Sequence, residues 1–162
     1  MKRKTTLIIA VLAVVIAGAV LTARIGKIAR HTVIHQRGAQ VMPFSLDSTT
    51  HIFQMTDNGG IQQVIVKRTD DKSQINMIRE HLQAEAQKFS KGDFSDPASL
   101  HGKNMPGLAE MEKGAANINI SYSDLTNGGQ IVYSSMDAKL VEAVHRWFQA
   151  QLSDHGSDAM RM

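Results

Sequence analysis

The side chains best able to do chemistry in this chain are histidines and methionines. His51, His81, His101, His145 and His155 all lie beyond residue 46, and the chain holds nine methionines and no cysteine. Neutral imidazole is the commonest metal ligand, and thioether sulfur is soft enough to favour Cu(I). The lack of cysteine excludes a disulfide framework, an iron–sulfur centre, a thiol nucleophile and any zinc site built on thiolates. Two local pairings stand out: His101-x-x-x-Met105, and a tail in which His155 is followed by a glycine and by Met160 and Met162. His81 lies four residues before Glu85 and four after Met77, so the three share one helix flank. His145 falls on an alternative stripe, Val141, His145, Phe148, Leu152, and should be at least half-buried.

These residues point to a metal site of His101, His145 and His155, with His81 and Met105 as partners. Copper is the favoured ion, and haem with His or His/Met axial ligands is the alternative. Asp154, Asp158 and Glu85 are the nearest carboxylates able to orient such imidazoles. The competing reading is a non-catalytic interaction or assembly module. In it the helix histidines are structural, the methionines fill the core, and the segment 93–114 contacts a partner. No catalytic residue is assigned. Asp93 and Asp96 read as caps of the helix that begins near Pro97. Ser157 and Asp158 adjoin His155 in sequence, but a triad is assembled in space.

The elements that must position these groups follow from periodicity. His51–Met55 and Ile61–Lys67 alternate about Asp57-Asn58-Gly59-Gly60, a turn whose Asn and Gly tolerate positive φ. Thr69-Asp70-Asp71 can then cap a helix to about Ser90 with the apolar stripe Ile75, Ile78, Leu82, Ala86, Phe89. The plan repeats with Asn117–Tyr122, the turn Thr126-Asn127-Gly128-Gly129, Gln130–Ser134, and a helix from Asp137 to about Ser153. The fold class is α+β, a pseudo-duplicated ββα–ββα: one four-stranded antiparallel sheet with two main helices on one face. Two short helices broken at Gly102 and Gly114 fill the middle.

The charge is divided. Residues 1–40 hold seven Lys/Arg and no acid, which leaves 11 basic and 15 acidic residues, a charge of −4, for the remainder. A nucleic-acid-binding domain would carry its basic surface on the folded part, so that function is excluded. Lys2-Arg3-Lys4 precedes the uncharged run Leu7–Ala23. That pattern reads as a signal peptide or an N-terminal transmembrane anchor at 1–23, with Ala17-Gly18-Ala19 as a cleavage site. A basic linker at 24–46 and one α+β domain at 47–162 follow. The chain is expected in a bacterial periplasm, anchored in the inner membrane through its N-terminal segment or released, with an envelope protein as a possible partner.

The run DFSDPASLHGKNMPGL at 93–108, the helix VHRWFQAQLSDHGSDA at 144–159 and the two Asn-Gly-Gly hairpins resemble a family of small exported bacterial proteins. Members are sometimes labelled aspartate carbamoyltransferase. True aspartate carbamoyltransferases are longer two-domain α/β proteins with a Ser-Thr-Arg-Thr phosphate-binding turn, and this sequence has no such turn. The resemblance implies a shared fold and export, and it brings no catalytic residue.

Overall fold

A computed structural model describes residues 16, 20–22, 25–26, 29–30, 32–38 and 40–162. The elements are β1 (Thr49–Thr56), β2 (Gly59–Val66), α1 (Lys72–Phe89), α2 (Ser95–His101), α3 (Leu108–Gly114), β3 (Asn119–Leu125), β4 (Gly128–Ser134), α4 (Ala138–His155) and β5 (Ala159–Arg161). Asp71 and Asp137 cap the two long helices by accepting from the backbone N–H groups of Gln74 and Lys139. These are donors that the first turn leaves without helical partners. The predicted α1 stripe is buried throughout, as are Leu140, Val144, Trp147 and Phe148 of α4, while Leu152 is half-buried.

The fold is α+β, and its sheet has five strands in the order β3-β4-β2-β1-β5. Four are antiparallel as expected. The fifth corrects the expectation, because β5 runs parallel to β1 and pairs Ala159 with His51 and Arg161 with Phe53. Three residues are too few to show alternation. Their pairing is imposed by α4, which carries the chain across the sheet, and by Gly156, whose φ of +55° turns it back.

The two hairpins meet along β2 and β4, with Gln62 opposite Ile131. The glycines permit this meeting. A Cβ on Gly59 would lie 2.1 Å from the Tyr133 carbonyl oxygen, and one on Gly128 would lie 2.0 Å from that of Val64. Among the described residues, no residue other than glycine has positive φ, so Asn58 and Asn127 do not use the conformation expected of them. The turns need their glycines chiefly for close approach of strands.

Both long helices lie on one face. Leu82 of α1 sits over Gly129 of β4, and Phe148 of α4 sits over Gly60 of β2. Each helix therefore covers the hairpin of the other half. Gly60 and Gly129 are 69 residues apart, while the caps Asp71 and Asp137, like Leu82 and Phe148, are 66 apart.

The core also reaches into the stretch read as a linker. Residues 32–38 are helical, and Ile34, Met42, Phe44 and Leu46 are buried in the core cluster. Most of Leu7–Ala23 lies outside the described residues. Among the described residues no helix is long and apolar enough to cross a membrane.

Candidate functional site

Four histidines converge on one cavity of about 50 Å³ between α1, α4, the sheet and the segment 41–44. His51 comes from β1, His81 from α1, His101 from the end of α2 and His155 from the end of α4. The His51 and His155 rings stack with centroids 4.6 Å apart, and His101 meets His155 edge-on at 5.1 Å. Phe44 closes this group, lying 5.6 Å from His81 and 6.1 Å from His51.

The cavity straddles the line that relates the two halves. Three pairs of its residues stand 66 positions apart on the two helices: His81 with Trp147, Glu85 with Gln151, and Phe89 with His155. Gln62 and Ile131, opposite each other in the sheet, form its floor. The Tyr133 hydroxyl donates to Gln62 Oε1 at 2.9 Å.

Burial governs the charges here. It lowers the His51 imidazole to about 4, with the charges of His101 and His81 adding to the effect. It lowers His81 to about 4 as well, against the pull of Asp96. It raises Glu85 to about 8, helped by the hydrogen bond and charge of Asp96 and opposed by Lys88. Glu85 and Asp96 thus hold one proton between them, resting on Glu85. Lys88 Nζ bridges both carboxyl groups, 3.3 Å from Glu85 Oε1. Asp96 therefore does not cap α2. The cap position is Phe94, with no side-chain bond, and Asp93 accepts from the Ser95 N–H instead.

A second polar group closes the far end. His101 Nδ1 donates to Asp154 Oδ2 at 2.9 Å, and the Arg30 guanidinium grips both oxygens of Asp154 and reaches the His101 carbonyl at 3.3 Å. Burial pushes Asp154 upward, but the hydrogen bonds from His101 and Arg30 outweigh it and hold the carboxyl at about 2. Asp154 was foreseen as an orienting carboxylate. Arg30, on the basic N-terminal stretch, had no sequence signal linking it to a residue 124 positions away.

Among the described residues, two buried polar atoms of cavity-lining residues have no hydrogen-bond partner: His51 Nδ1 and Trp147 Nε1. Both residues line the cavity and are at most 4% exposed. Leaving such a group unsatisfied costs roughly 1–3 kcal/mol.

The expected ligand set is only partly assembled. His81, His101 and His155 line the cavity, and His145 and Met105 do not. His145 Nε2 donates instead to the carbonyls of Thr56 at 3.0 Å and Gly59 at 2.8 Å, because its place on α4 faces the end of the first hairpin. Met105 is buried in the core. Among the described residues no group of three or more His, Asp and Glu side chains is placed to hold a metal ion.

His51 was missed as a site residue, and Glu85 was expected only as an orienting carboxylate. Each carried a signal: His51 alternates with the inward Phe53, and Glu85 is a carboxylate between the stripe residues Leu82 and Phe89. The chain matches no family model, no curated protein and no solved structure.

Proposed function

We propose that this chain is a ligand-binding module of the bacterial envelope, with the histidine cavity as its site. The observation that carries the reading is the convergence of His51, His81, His101 and His155 on one cavity, two of whose lining residues, His51 and Trp147, keep a buried ring nitrogen without a hydrogen-bond partner among the described residues. A folded domain rarely keeps two such groups in its core without use for them. The basic cluster at Lys2-Arg3-Lys4 and the uncharged run after it support export and attachment to a membrane.

Copper(I) is a second reading of the same cavity. It is favoured by His51 and His81, which burial keeps in the neutral, ligating form, and by the Met42 thioether in the wall. His51 and His155 stack side by side, so a metal would require at least one ring to rotate. A space of about 50 Å³ suits an ion or a few-atom molecule better than a porphyrin.

Thermal unfolding of the full chain tests the reading against Cu(I), Cu(II), Zn(II), haem and small polar molecules. At least one class should raise Tm, and His51→Phe should abolish the rise. If nothing raises Tm, the cavity is structural and the interaction-module reading takes its place.

A further inference from the structure

The sheet has two faces, and the long helices use one. Phe53, Val64, Ile131 and Tyr133 point to the helix side and are fully buried. Alternation sends their neighbours along each strand to the opposite face. There the side chains are half-buried or exposed, Ile52 excepted. The histidine cavity has its floor on the helix side, so the second face stands apart from the binding-site reading.

Charge is what this face lacks. A solvated protein surface is roughly a quarter to a third Lys, Arg, Glu and Asp. The outward positions are the even-numbered ones of β1 and β4, the odd-numbered ones of β2 and β3, and Met160 of β5, and none holds a charged residue. Within the strands, Asp124 and Arg161 are the charged side chains, and both fall on the opposite alternation.

The face is also zoned. Its centre is apolar: Ile61 pairs with Val132, and Ile52 and Ile65 flank them on β1 and β2. Its rim is polar, with Thr56 and Ser134 at one end and Ser121 and Ser123 along β3. Across the middle Gln63 Nε2 donates to Gln130 Oε1 at 2.9 Å, and Gln130 Nε2 donates to Ser123 Oγ at 3.0 Å. These amides satisfy one another within the sheet, so covering them strands few polar groups. An apolar centre, a polar rim and depleted charge make the composition of a protein–protein interface.

A partner must be uncharged where it meets this face, and a second copy of the chain brings such a surface. The residues beyond 40 carry a net charge of −4, so two copies repel one another, and this face adds nothing to that repulsion. The area is sufficient. Four strands about 4.8 Å apart, each some seven residues long at about 3.3 Å per residue, cover roughly 450 Å². With Met160 added, two copies bury about 1,000 Å² in all, the low end for a specific pair.

We propose that the open sheet face joins two copies of this chain, sheet on sheet, about a twofold axis passing near Gln63 at the middle of the central strand β2. The two sheets form an aligned sandwich with the Ile61–Val132 pairs at its core.

Sedimentation velocity of the full chain over a concentration series reads the association. Val20, Leu21 and Ile25 are exposed on the N-terminal stretch and offer a competing contact, so the chain is kept in a non-ionic detergent. A monomer–dimer equilibrium with Kd of about 10–100 μM is expected for so small an interface. Gln63→Lys and Gln63→Glu each set like charges across the axis and should weaken the dimer at least about tenfold. An equimolar mixture of the two should restore a dimer at least as tight as wild type, which misfolded chains would not do. Ser121→Lys charges the same face and stands in if Gln63→Lys fails to fold. Met136→Lys, fully exposed and off the strands, should leave Kd within about twofold of wild type.

A chain that stays monomeric throughout overturns the inference, whether solvent or another protein covers the face. A dimer that both Gln63 variants leave intact overturns it, since the copies then meet elsewhere. Weakening by both with no recovery on mixing also overturns it, because position 63 does not then meet its own copy.

Discussion

Arg79 and His145 stand at matching points of the two halves, and each closes the hairpin of the other. Arg79 donates to the carbonyls of Leu125 and Gly128, and His145 donates to those of Thr56 and Gly59. The two side chains are 66 residues apart, as the helix caps are, and their targets are 69 apart, as the hairpins are. His81 and His145 are histidines within the two long helices, yet they are not counterparts. The register makes Trp147 the counterpart of His81, two positions along the helix and on its buried face.

His145→Ala should therefore act on stability alone. It strips donors from two carbonyls and should cost about 1–2 kcal/mol. Arg79→Ala should cost a similar amount. Urea unfolding measures both, and Kd for any cavity ligand should stay within about twofold of wild type. A tenfold loss of affinity in His145→Ala would return that residue to the site.

Phe148→Ala should be far more damaging. The ring is fully buried, lies over Gly60 and contacts Phe53, Tyr133 and Trp147. A loss of about 3–5 kcal/mol is expected from the cavity it would leave. A loss below about 1 kcal/mol in chemical denaturation would contradict the packing of α4 on β2.

Stability should peak near pH 6.5. Below the ordinary histidine value of 6.5 the unfolded chain protonates His51 and His81 while the folded chain keeps them neutral down to about 4, so stability falls on acidification. Glu85 acts in the opposite sense. Between its ordinary value of 4.5 and about 8, only the folded chain holds its proton, so each rise in pH across that window favours unfolding. The two histidines outweigh the one carboxyl below 6.5, and Glu85 alone remains above it. Tm measured from pH 4 to pH 9 should trace this curve, and Glu85→Gln should remove the decline between 6.5 and 8. A flat profile in that interval for the wild type would place Glu85 in water.

Arg30→Ala should free the segment before β1 more than it destabilises the domain. The Arg30 side chain is 54% exposed and solvent screens its ion pair, so about 1 kcal/mol is at stake. Hydrogen exchange should quicken at residues 32–38 and around Phe44, with little change at β2 and β4. Uniform protection across both regions would show that Arg30 does not hold the segment down.

Much of this architecture was readable from residue order. The Asn-Gly-Gly turns, the capping aspartates and the 3.6-residue stripes are local signals, and each produced the element it implied. What stayed hidden depends on contacts between distant parts. β5 is a strand only because β1 offers a free edge. Ile34, Met42 and Phe44 are core residues only because the two helices leave a gap that Phe44 fills above His51 and His81. The site was half legible for the same reason. His81, His101 and His155 could be suspected from type and spacing, whereas the exclusion of His145 needs the three-dimensional register.

The line relating the halves passes through the cavity, and this bears on how freely the chamber can be altered. Were the halves identical, every wall residue would appear twice, and any substitution would change both sides at once. In a single chain each wall can vary alone. His81 opposite Trp147 and Glu85 opposite Gln151 are such unlike pairs, one member able to exchange a proton and the other a neutral donor. Phe89 and His155 differ in the opposite sense, so the chamber's titratable groups are spread over both helices and no single substitution is mirrored in the other half.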